Sequence, residues 1–96
     1  MKSMLSWQKN NTTLILKGIL NRDTLMFFWK QKNELLKDIN AINVSLLSHV
    51  DSAGLAMLVR LKTKKQFKNK LLIEGISENL KTLIILYKLE DFIILF

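Results

Sequence analysis

The chain has no cysteine and no proline, and only three glycines and one histidine among its 96 residues. Without cysteine it forms no disulfide and does no thiol chemistry, a composition compatible with a reducing compartment. One histidine, His49, leaves too few of the usual ligands for a zinc site, so neither metal nor cofactor is expected. Acidic groups are scarce: 8 Asp and Glu stand against 15 Lys and Arg, a net charge of +7. Those acids show no paired arrangement suited to acid–base work, and there is no glycine-rich phosphate loop. His49, Asp51 and Ser52 are neighbours in sequence, which does not give the geometry of a catalytic triad. A non-enzymatic domain is expected. Long apolar runs are missing too: none approaches the roughly 20 residues that span a bilayer, and the opening MKSMLSWQKNN lacks a signal-peptide core. The expected location is the cytoplasm.

What is present suits one globular domain spanning residues 1–96. Hydrophobic residues make up 49% and charged residues 24%, enough for a single modest core. Much of the positive charge gathers in Lys62, Lys64, Lys65, Lys68 and Lys70. Its plainest reading is the solvated end of a helix, where cations also suit the dipole. Contact with an acidic partner or anionic lipid headgroups is the alternative. Nucleic-acid binding is not expected, since no aromatic platform accompanies the lysines.

Hydrophobic periodicity sets the elements. Met4 to Trp7 reads as an edge strand, Asn10-Asn11 as a turn, and Thr12 to Ile19 as a second strand with Leu14 and Leu16 on one face, ended by Gly18. Asp23 or Thr24 then caps a helix whose stripe is Leu25, Phe28, Trp29, Leu35, Leu36 and Ile39. Met26 and Phe27 fall outside the stripe, as edge packing or as part of a partner surface. Leu71 to Glu74 reads as another strand, and Ser77 caps a third helix with Leu80, Leu83, Ile84 and Tyr87 in register. Phe92 to Phe96 is read as a last short strand. The order is ββαβαβαβ, an α/β fold with parallel pairing in part of a mixed sheet and amphipathic helices packed on it.

Between these lies the stretch on which function turns, AINVSLLSHVDSAGLAMLVRL from Ala41 to Leu61. Its apolar first half reads as a strand buried on both faces. Ser52 stands where its hydroxyl caps the helix that follows, and Gly54 where backbone must approach something closely. A helical wheel from Ala53 to Lys68 puts Leu55, Leu58, Val59 and Leu61 inward. It leaves Ala53, Ala56, Met57 and Arg60 on a second, small and partly apolar face beside Ser52. That face is either a mildly hydrophobic solvent face or a docking surface with Met57 as anchor and Arg60 as charged contact.

The run VDSAGLAML from Val50 to Leu58 resembles the signature of STAS domains, in which the hydroxyl residue after the Asp is the phosphoacceptor. Leu5-Ser6-Trp7, Gly18, Trp29, Leu86-Tyr87 and Leu89 extend the likeness over nearly the whole chain, towards the small cytoplasmic STAS subunits of the Mla phospholipid transporters of Gram-negative inner membranes. The resemblance implies a STAS-like mixed sheet. It also implies a subunit, peripheral on the cytoplasmic face of the inner membrane, that binds the ATPase subunit of an ABC transporter alongside permease and substrate-binding subunits. The implied contact residues are Asp51, Ser52, Ala53, Gly54, Ala56, Met57 and Arg60. Anti-anti-sigma factors share the domain, and for them the resemblance implies a signalling switch phosphorylated at Ser52. Anti-anti-sigma factors and the Mla STAS subunits alike usually carry a G-E-L-D-like sequence where this chain reads GILN from Gly18 to Asn21, so Asn21 replaces the acid that assists phosphorylation in the signalling proteins.

Overall fold

Asn11, in the left-handed region at φ 58°, turns the first strand back on the second. In the computed structural model, which describes residues 4–63, 71–91 and 93, β1 (Leu5–Asn10) and β2 (Thr13–Leu20) form this antiparallel hairpin. Then come α1 (Arg22–Lys30), the single turn α2 (Lys32–Leu35), β3 (Ala41–Val50), α3 (Ser52–Thr63), β4 (Leu72–Glu74) and α4 (Glu78–Leu86). The sheet order is β1-β2-β3-β4, with β3 parallel to both neighbours. This is the expected mixed α/β arrangement. The strand expected at residues 92–96 lies outside the described residues except for Ile93, which is fully buried.

The connections from β2 to β3 and from β3 to β4 step across the sheet in one direction, and the right-handed rule for parallel crossovers puts α1 and α3 on the same face. They pack side by side there. Leu14, Leu16 and Leu20 of β2 point into that layer with Ile42 and Val44 of β3, and Phe28 of α1 closes it from above. Trp7 pairs with Leu16 in the hairpin. Its ring meets Phe28 edge-on at 5.4 Å and Phe27 at 5.3 Å.

Several local expectations change for identifiable reasons. The cap of α1 is Asn21, not Asp23 or Thr24: its Oδ1 accepts from Asp23 N and Thr24 N, while Thr24 Oγ1 accepts from Asn21 N. The helix therefore starts three residues before Leu25, and it breaks at Gln31 so that the stripe continues on α2. Gly18 does not end β2. It sits inside the strand at φ +103°, where a Cβ would collide with the Met4 carbonyl oxygen. That same oxygen accepts from Ile19 N at 2.8 Å.

β3 is not buried on both faces along its length. β4 reaches only Ala41, Ile42 and Asn43, and two register breaks opposite β2 each add one residue to β3. At the first, Asn43 Oδ1 accepts from both Ser45 N and Ser45 Oγ. Inward positions therefore fall at Val44, Leu47 and Val50, three apart, and Leu46 turns outward at 54% exposure. Tyr87, expected in the stripe of the third helix, is the C-cap of α4 and half exposed. Ser77 does cap α4, accepting from Leu80 N.

The tightest packing is at Gly54, in the first turn of α3. A Cβ there would lie 2.5 Å from the Leu20 carbonyl oxygen and 2.9 Å from Leu20 Cγ. Backbone cannot yield as a flexible side chain would. Gly54→Ala is expected to lower unfolding free energy by about 1–3 kcal/mol, as overpacking does, read as a lower urea midpoint. An unchanged midpoint would mean that α3 can ride away from β2 without loss.

Candidate functional site

β2 and β3 run parallel and end together, with Leu20 beside Val50. Asn21 and Asp51 are the next residues, and α1 and α3 start immediately after them. Two helix N-termini, each with unpaired N–H groups, thus emerge at one end of the sheet. One side chain serves both. Asp51 Oδ1 accepts from Gly54 N at 2.8 Å and Oδ2 accepts from Arg22 N at 3.2 Å. Its backbone continues the join, since Asp51 N donates to Leu20 O and Asp51 O accepts from Leu55 N.

Ser52 is therefore not the cap. It is the first residue of α3, exposed, and its hydroxyl bonds to no other described residue. The hydroxyl is presented to solvent at the helix start, beside the committed Asp51 carboxylate.

Beyond Ser52 a shallow groove of about 300 Å³ runs between the two helices, lined by Leu25, Met26 and Trp29 of α1 and by Ala53, Ala56, Met57 and Arg60 of α3. The four α3 residues expected on one face do share it. Their exposure differs: Ala56 and Arg60 are exposed and Ala53 is half-buried, but Met57 is only 4% exposed. Met57 is thus a wall of the groove packed into the core, not a protruding anchor. Gly54 is buried against Leu20 and positions the helix, so it offers no surface for contact. The wheel misplaced Met57 because α1 lies alongside α3 and covers part of its second face.

Of the α1 half of the groove, the sequence offers Met26 as partner surface, while Leu25 and Trp29 read as the helix's core stripe. Met26 and Phe27 are 50% and 55% exposed, and their position off the helical stripe was the signal for it. Trp29 lines the groove under Lys32, whose Nζ stands 4.3 Å from the ring centroid.

His49 lies within β3, and it is exposed. It lines a separate cleft with Leu47 and Ser48 of the same strand and Asn79 and Thr82 of α4, so it shares no site with Ser52. Among the described residues no group of three or more His, Asp or Glu is placed to hold a metal ion. The lysine cluster lies largely outside the described residues. Lys62, its first member, is not simply solvated, since its Nζ donates to Leu71 O at 2.6 Å and ties the end of α3 to the start of β4.

Asp51→Ala is expected to lower stability by about 0.5–2 kcal/mol, because it uncaps α3 and releases Arg22 N. Ser52→Ala is expected to stay within about 0.5 kcal/mol of the parent, as exposed substitutions usually do. Paired urea titrations check both, and the reverse ranking would return the cap to Ser52.

The family model described as "Mlab, STAS domain" matches residues 3–95. A relative from Escherichia coli (strain K12), "Intermembrane phospholipid transport system binding protein MlaB", is 38% identical over 91 residues, covering 93% of each chain. A protein of the same name from Haemophilus influenzae is 40% identical over 101 residues, covering 94% of this chain and 96% of the relative. With the family model spanning nearly every residue and these identities holding end to end, the chain belongs to the MlaB family of STAS-domain proteins.

Proposed function

We propose that the chain is a non-enzymatic binding subunit of an intermembrane phospholipid transport system. In this reading it docks on the ATPase subunit of the ABC transporter through the Ser52 turn and the α1–α3 groove. It sits at the cytoplasmic face of the inner membrane and reaches the permease and substrate-binding subunits through that ATPase. The name the relatives bear supports the system, and the match over more than nine-tenths of each chain supports a like role. Among the described residues no helix is long and apolar enough to cross a membrane, which fits attachment through a partner.

The observation that carries the docking site is the groove itself. An opening lined by Met26, Trp29 and Arg60, with Ala53 and Ala56 permitting close approach, has the composition favoured at the centre of protein interfaces.

A second reading, a signalling antagonist switched by phosphorylation at Ser52, draws on the solvent-facing hydroxyl at the start of α3. Asn21 weighs against it. The residue in the acidic position is an amide whose oxygen caps α1, so it brings no charge to the turn.

Affinity capture of the tagged chain from membranes solubilised in mild detergent, with mass spectrometry of the partners, tests the assignment. An ABC ATPase recovered with its permease is the expected result. Recovery of a kinase-like anti-sigma factor, with Ser52 phosphorylated in the free chain, would replace it with the switch. Ala56→Arg, which fills the groove from an exposed helix position, is expected to reduce ATPase capture at least about tenfold, a loss of about 1.4 kcal/mol. Capture at the parental level would place docking elsewhere.

A further inference from the structure

We draw no further inference here: the strongest candidate, the cleft between α4 and the part of β3 that β4 does not reach, lined among others by Leu47, Ser48, His49, Asn79 and Thr82, carries nothing, because the Ser48 and Thr82 hydroxyls are spent on backbone carbonyls, the register breaks in β3 interrupt the edge that an added strand would need, and nothing in the structure shows what covers it.

Discussion

At the carboxyl ends of β2 and β3, helix α3 can approach the sheet only because residue 54 has no side chain. The Leu20 carbonyl occupies the space that a Cβ would need, so the start of α3 is seated directly on the end of β2. Asp51 then closes the joint. Its two carboxylate oxygens reach the N-termini of both α1 and α3, holding together two helices whose order in sequence is separated by all of β3. This joint sets the spacing of α1 and α3 at their N-termini, their packing on the sheet and on each other holds it farther along, and the groove between them depends on that spacing.

This arrangement divides the motif into parts with different duties. Asp51 and Gly54 hold the turn in shape. Ser52 stands outside that bonding and presents a hydroxyl to solvent, which leaves it available for contact or modification without disturbing the cap. Ala53, Ala56 and Arg60 then display a surface whose position is set by their buried neighbours, Leu55, Met57 and Leu58. A string of nine residues that reads as one signature is thus a structural joint followed by an exposed face.

The opposite end of α3 is tied by different means. Lys62 donates to the Leu71 carbonyl, the residue just before β4, so a cation satisfies backbone at the negative end of the helix dipole. At the hairpin edge, β1 carries exposed Ser6, Gln8 and Lys9, the kind of polar and charged residues that discourage edge-to-edge pairing between sheets. Large exposed apolar side chains lie elsewhere, at Met26 and Phe27 of α1, Leu46 of β3, Leu72 of β4 and Ile85 and Leu86 of α4.

The sequence by itself determined the α/β order, the inward face of β2 at Leu14 and Leu16, the cap at Ser77 and the position of the VDSAGLAML turn, because each depends on local periodicity or on a residue acting within its own turn. Tertiary structure decided the rest. Whether Asp51 or Ser52 caps α3 depended on where the carboxylate could also meet Arg22, twenty-nine residues away. The exposure of Leu46 came from register breaks against β2 and from a three-residue β4, neither of which is visible in β3 alone. Met57 was buried, and Met26 and Trp29 were recruited to the site, by the packing of α1 on α3. A helical wheel shows which residues share a face, but only the neighbouring element determines whether that face meets water, the core or a groove.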